Sequence, residues 1–287
     1  MIAVPAFFAD YHASIDAELR RLLPDSQETV QRSMAYTVLA PSKRVRAALT
    51  LISAEICGGR RGPALGAAAA IELVHAASLI LDDLPSMDDA PLRRGRPANH
   101  KEFGEAVAIL AAFALLNLAF STIAKTYDPL VSSKLVEVLS DAVGIGGLVG
   151  GQAADLLAVG QPVDFEMLER IHRGKTGALF VAAAIAGALV AGGRADAIAP
   201  LSAYAKNLGL AFQIIDDLLD VEGDPAQTGK AVRADARRTT FVSFSGVAGA
   251  RQLARELCET ADRALAPFGR RADRLRDLSA FVARRSI

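Results

Sequence analysis

Tryptophan is absent from this 287-residue chain, aromatic residues make up only 6%, and there are two cysteines and four histidines. Each scarcity excludes something. Cys57 and Cys258 offer no metal-ligand spacing and no disulfide framework, so they read as reduced buried thiols of a cytoplasmic protein. Net charge is lacking too: 32 basic residues balance 32 acidic ones. That leaves no nucleic-acid footprint and no polybasic membrane patch. Alternating β-branched runs are rare, so little of the chain reads as strand. The opening MIAVPAFFADYHASIDAELR has no basic n-region and has early acids, so no secretory signal is expected. There is no solenoid repeat and no low-complexity linker.

What the chain has in quantity is alanine, with glycine interspersed, in a sequence that is 52% hydrophobic. That mix predicts packed helices, an all-α fold in one domain spanning 1–287. Apolar periodicity predicts helices over 5–22, 28–39, 63–84, 163–173 with Asp164 as N-cap, and 199–221, with two more between 239 and 287. Another opens at Lys43-Arg44-Val45-Arg46 and stops at Gly58-Gly59. Residues 106–124 are long enough to cross a bilayer. They lack aromatic anchors and contain Asn117, so a buried core helix with no membrane span is expected. Residues 178–192 read the same way.

The densest chemistry lies in 79–100, LILDDLPSMDDAPLRRGRPANH. Asp82, Asp83, Asp88 and Asp89 fall within eight positions, and Arg93, Arg94 and Arg96 follow. Acid beside base suits an anion bridged by divalent metal, although a solvated surface ion-pair cluster has the same composition. The carboxylates follow an apolar run, so they begin where the helix is buried and need partners or metal. Pro85 is expected to kink the helix between Asp83 and Asp88. A second cluster, Asp216, Asp217 and Asp220, ends the 199–221 helix, with Gln213 one turn earlier. Like charges four apart weaken an isolated helix, and shared cations would explain both clusters. Lys43 and Arg46, three apart, share a helix face at an N-terminus, where cations oppose the macrodipole and suit an arriving anion. His75 lies two turns before Asp82. The Gly-rich VGIGGLVGGQAADL implies close helix approach or room for a ligand, and places Gln152 and Asp155 on one face. Gly174-Lys175-Thr176-Gly177 is no P-loop, because it sits within helical sequence. A basic stretch with Lys230, Arg233, Arg237 and Arg238 follows the second cluster.

These motifs together resemble the trans-isoprenyl diphosphate synthases, or polyprenyl synthetases, over nearly the whole chain. DDLPSMD followed by LRRGRP is similar to the family's first Asp-rich motif in its bacterial and plant form, and FQIIDDLLD to the second. KTG at 175–177, GGQAADL at 150–156 and KRVR at 43–46 stand in the expected order. The resemblance implies a bundle of long helices around a deep central cavity (the isoprenoid synthase fold), forming a homodimer. It implies condensation of isopentenyl diphosphate with an allylic diphosphate, which is dimethylallyl, geranyl or farnesyl diphosphate. Asp82, Asp83 and Asp88 on one wall, and Asp216, Asp217 and Asp220 on the other, would bind three Mg²⁺ ions. Arg93, Lys175 and Lys230 would neutralise the leaving diphosphate. Lys43, Arg46, His75 and Arg94 would hold isopentenyl diphosphate, and Arg238 would keep the charge of the family's last basic loop. Thr176 and Gln213 would present oxygens to the allylic cation.

The chain departs from the family pattern at Pro41-Ser42 for Gly-Gly, Ala47 for proline, Leu81 for histidine, Ala112-Phe113 for Gly-Asp, and Arg237-Arg238 for Gly-Lys. No metal ligand is lost. Ala77 and Ser78, just before Asp82, are small where aromatics would stop the product at farnesyl. Geranylgeranyl diphosphate is therefore expected and farnesyl diphosphate is the alternative, with Phe113 as a second residue able to close the floor. A class I terpene cyclase would not need the second set of cations and would carry more aromatics. A non-catalytic subunit would tend to lose its aspartates.

Overall fold

Alanine-rich faces let long helices approach closely, and the segment ALFVAAAIAGALV at the centre of the fold is nearly half alanine. The computed structural model describes residues 6–222 and 239–284. The helices are α1 (Ala6–Leu22), α2 (Thr29–Val38), α3 (Val45–Ile56), α4 (Arg61–Asp82), α5 (Asn99–Phe103), α6 (Glu105–Thr126), α7 (Pro129–Val143), α8 (Leu148–Leu157) and α9 (Phe165–His172). A π-helical turn, Arg173–Gly177, leads into α10 (Ala178–Val190). Then come α11 (Ala195–Glu222), α12 (Phe241–Ala264), a 3₁₀ segment (Ala266–Ala272) and α13 (Asp273–Arg284). Among the described residues the only strands are β1 (Leu92–Arg93) and β2 (Arg96–Pro97), a two-residue-per-strand hairpin. The architecture is all-α.

α10 is the hub. Ala182, Ala183, Ala184, Ala186 and Ala188 are buried, and the helix packs on α3, α4, α7 and α11. α4 lies between α3 and α6, buried almost all round through Ala64, Ala67–Ala70, Leu73, Val74, Ala76 and Ala77. α11 packs along α12, which closes that side of the bundle. Asp164 does cap α9, accepting from the Met167 amide at 2.7 Å.

Three expectations change. Lys43 and Arg44 precede α3 rather than opening it: Arg44 is left-handed at φ 49°, and the helix starts at Val45. The C-terminal part contains a third piece, the 3₁₀ segment, which starts at Ala266-Pro267. α6 is not a core helix buried all round. Ala108, Ala111, Ala112, Leu115, Ala119 and Ile123 face inward, while Ile109, Leu110 and Phe113 are exposed. By length and composition α4, α6 and the stretch Phe165–Val190 could each cross a membrane, yet 72% of the most apolar window in α4 is buried against 39% in α6. Composition could not show this, because an alanine-rich sequence is apolar on every face and only packing decides which face finds a partner.

Candidate active site

The first acidic wall is a helix end followed by a reversal. α4 stops at Asp82, and Asp83 is its C-cap. The chain then folds back: the Met87 amide reaches the Leu84 carbonyl at 2.9 Å, Asp88 reaches Asp82 at 2.9 Å, and Ala90 reaches Asp83 at 3.2 Å. Pro85 therefore does not kink a continuing helix. It sits exposed in the turn that ends it, where its missing N–H costs nothing. The reversal, not a helix face, brings Asp88 beside Asp82. Asp89 points outward to Lys101.

Asp83 is 2% exposed and is gripped by Arg93, whose Nε lies 2.9 and 3.1 Å from its two oxygens, with Nη2 in closer contact. Asp82 has no such clamp. Burial pushes its carboxyl up to about 6; Asp88 and Asp83 add repulsion, and Lys175 and Arg93 partly offset it. A carboxylate held at that expense is one that a divalent cation would relieve.

Arg93 and Arg94 are placed by the hairpin. Arg94-Gly95 is its two-residue turn, with φ of 55° and 74°. Positive φ at both positions is the geometry whose twist matches the strands, and Gly95 suits it. For arginine it is strained by about 1–3 kcal/mol. The three non-glycine residues with positive φ among those described, Arg44, Asp89 and Arg94, all lie in the charged motifs. The hairpin is tied down at its far end, where Asn99 bonds Ser33 at 2.7 Å and Thr37 at 2.9 Å.

Opposite stands the π-helical turn. Gly151 of α8 has no room for a side chain: a Cβ there would lie 2.1 Å from the Lys175 amide. The glycine-rich stretch thus serves close approach, and it presents Lys175. The Lys175 ammonium donates to Asp155 at 2.6 Å, and its charge also acts on Asp82. Thr176 donates to Gln213 of α11 at 2.8 Å, and Gln213 donates to Asp217 at 2.9 Å. Asp217 is buried; Asp216 and Asp220 are half-buried.

A third group is cationic. Arg46 lies over the rings of Phe180 (4.5 Å) and Phe212 (5.8 Å), with Nη1 3.4 Å from His75 Nε2. Burial lowers its pKa, while Glu72 and Asp216 favour its charge. Arg94 is lowered to about 10, chiefly by burial, so it remains charged at neutral pH. Burial and then Arg46, Arg94, Arg93 and Arg44 hold His75 well below its ordinary value, so its ring is neutral. Arg44 is part of the scaffold: it bonds Asp16 at 2.9 Å, Glu72 at 3.2 Å and the Val38 carbonyl at 2.6 Å.

Asp82, Asp83, Asp88, Arg93 and Lys175 are thus assembled, as are Arg46, His75 and Arg94, and Thr176, Gln213 and Asp217. Asp216 belongs with them through its action on Arg46. Lys43 stands just before α3. Lys230, Arg233, Arg237 and Arg238 lie outside the described residues. Phe113 is 67% exposed on the outer face of α6, so it does not close the floor of its own chain. Ala77 is buried, and deeper along α4 a small void is lined by Ala67, Ala70, Leu135, Leu139, Ala182 and Ala186. Sequence reasoning missed Asp155 as the partner of Lys175 and Glu72 as the counter-ion of the arginines. Asp155 was readable, three residues after Gln152; Glu72, single in an apolar run, gave only the rule that buried charge needs partners.

Among the described residues no three histidine, cysteine or acidic groups converge into a metal cage. The donors nevertheless fit Mg²⁺, which takes hard oxygens and binds through one or two carboxylates completed by substrate phosphates and water. Asp82 and Asp88 on one wall, and Asp216 and Asp220 on the other, are such partial sets.

The chain is similar to known proteins over most of its length. Residues 27–261 match the family model described as Polyprenyl synthetase. The chain is 45% identical to farnesyl diphosphate synthase of Escherichia coli over 250 residues, covering 85% of this chain and 84% of that protein. It is 42% identical to the chloroplastic geranylgeranyl pyrophosphate synthase 11 of Arabidopsis thaliana, covering 89% and 74%. In solved structures, an FPP/GFPP synthase from Zymomonas mobilis superposes with a TM-score of 0.87 at 35% identity, covering 98% of each chain.

Proposed function

The chain belongs to the polyprenyl synthetase family, and from that premise we propose that it is a Mg²⁺-dependent geranylgeranyl diphosphate synthase acting as a cytoplasmic homodimer. It is a prenyltransferase that elongates isoprenoid diphosphates. The observation that carries the finer reading is the separation of two charge environments: an acidic wall facing Lys175, and beside it a pocket of Arg46, Arg94 and neutral His75.

In this reading isopentenyl diphosphate binds Arg46, Arg94, His75 and Lys43. Arg46 is held by Phe180 and Phe212, so little of its freedom is lost on binding. The allylic diphosphate lies between the acidic walls, where Lys175 and Arg93 offer it hydrogen bonds as its C–O bond breaks. Bound Mg²⁺ supplies the charge neutralisation that lets so anionic a group depart. Thr176 and Gln213 face the cation left behind, and the apolar residues below keep water from it. The isopentenyl double bond attacks that cation, and the released pyrophosphate takes the proton.

Product length follows from Ala77. Ala77 is small and buried, and a small alanine-lined void at Ala67, Ala70, Ala182 and Ala186 lies further along α4; both support room for a longer product. Incubation with isopentenyl diphosphate, farnesyl diphosphate and Mg²⁺ is expected to yield the twenty-carbon product. Ala77→Phe should shift the product to farnesyl diphosphate with turnover on shorter primers kept. A wild-type product that stops at fifteen carbons would assign the farnesyl alternative.

A further inference from the structure

We propose that Asp217 is a positioning residue, not a metal ligand, and that it sets the direction of a hydrogen-bond chain ending at Thr176. The proposal rests on the prenyltransferase reading and assigns Asp217 a different role from its neighbour Asp216.

Adjacent residues on a helix point about 100° apart, and here they meet different surroundings. Asp216 is half-buried and acts electrostatically on Arg46. Asp217 is 5% exposed and turned into the protein. One of its oxygens accepts from the Phe241 amide at 3.1 Å, the other from Gln213 Nε2 at 2.9 Å. Phe241 is the first residue of α12, whose N-terminus is closed by a capping box between Thr240 and Ser243. Two N–H donors, one from the backbone of α12 and one from the Gln213 side chain, therefore converge on this carboxyl group.

The direction of the chain follows from donor counting. Both Asp217 oxygens accept, one from the Phe241 amide and one from Gln213, so the Gln213 amide turns its NH₂ towards Asp217. The flipped amide would set two acceptors face to face. Gln213 Oε1 is then fixed towards Thr176, which donates to it at 2.8 Å. A threonine hydroxyl has one proton, and that proton is now committed. What Thr176 has left for the site is lone pairs, which attract an allylic cation; a free O–H turned the other way would repel it. Asp217 thus fixes the polarity of an oxygen two hydrogen bonds away.

The test uses the full-length enzyme with isopentenyl and allylic diphosphates, reading kcat, the fraction of allylic substrate lost to water as alcohol, and the Mg²⁺ half-saturation both of the rate and, without turnover, of calorimetric binding in the presence of inorganic pyrophosphate. Asp217→Asn replaces an acceptor oxygen with a donor and frustrates the chain. It should lower kcat about 10- to 100-fold, on the scale of a lost electrostatic contact in a dry site. The alcohol fraction should rise, and Mg²⁺ half-saturation should stay within about twofold. In a Thr176→Val background Asp217→Asn should add little, because the chain has already lost its end. Asp216→Asn is the comparator and should raise Mg²⁺ half-saturation. A matching rise in Asp217→Asn, or losses that simply multiply with Thr176→Val, would overturn the proposal. If Asp217→Asn does not fold, Gln213→Met cuts the same chain without touching a carboxylate and must give the same pattern. A wild-type enzyme inactive on these substrates would sink the underlying reading instead, before any variant is compared.

Discussion

At the scale of single residues, the site is a problem of concentrated positive charge. Arg44, Arg46, Arg93 and Arg94 all bear on His75, and buried Glu72 acts on Arg44, Arg46 and Arg94. The imidazole records this crowding. Its folded pKa lies well below the ordinary 6.5, first through burial and then through the guanidiniums. Below about pH 6.5 the unfolded chain takes up a proton that the folded chain refuses, so folding loses stability as pH falls. Above that value the group contributes nothing to the pH dependence. One refused proton gives a slope of about 1.4 kcal/mol per pH unit. Asp82, pushed up to about 6, gains stability over the same range and works against this loss, so the His75 share is the difference between wild type and His75→Gln: from pH 7.0 to 5.5 in urea unfolding, the variant should lose less or gain more. The same change in wild type and variant would show that His75 takes no part in it.

At the scale of elements, legibility divided by range. Helices with long apolar runs were readable because period and length act locally, and Asp164 was readable as a cap for the same reason. The turn Arg94-Gly95 was missed because arginine is not a usual first residue of such a turn and two-residue strands carry no periodicity. Arg44 read as a helix residue, since nothing local reveals that Asp16, Glu72 and Val38 will hold it left-handed. The same range argument makes α8 and the π-helical turn a unit whose spacing is set by a missing side chain. Gly151→Ala should push α8 from Lys175, because the new methyl would meet the Lys175 amide at 2.1 Å. Activity should fall at least about tenfold, as expected for misplacing a catalytic cation by a fraction of an ångström. Thermal stability should fall as well, by a few degrees for a chain of this size. Full activity with unchanged stability would show that the two elements adjust freely.

At the scale of the whole molecule, α6 is the part left incomplete. Its inner face lies on α4, while Ile109, Leu110 and Phe113 form an outer apolar strip with no charged residue between Glu105 and Lys125. We propose that this strip is where the two copies of the homodimer meet. Light scattering should give twice the chain mass of 30.1 kDa, and Leu110→Glu with Phe113→Glu should give a folded monomer. A wild-type monomer, or a wild-type protein that sediments with membranes, would remove the dimer reading. Hydropathy marked α6 as apolar throughout but could not show that only one of its faces is buried within the chain.

The hydrogen bonds that assemble the site also bear on how the chain can be divided. Asp83 and Arg93 are ten residues apart in sequence, but Arg46 and His75 are 29 apart, Asp217 and Phe241 are 24 apart, and Thr176 and Gln213 are 37 apart. Cut after α7, the first piece would keep one acidic wall and the arginine pocket; the second would keep Lys175, the other wall and the threonine. Neither fragment would hold both walls, and α10 would lose its packing on α3, α4 and α7. The chemistry belongs to the closed bundle as a whole.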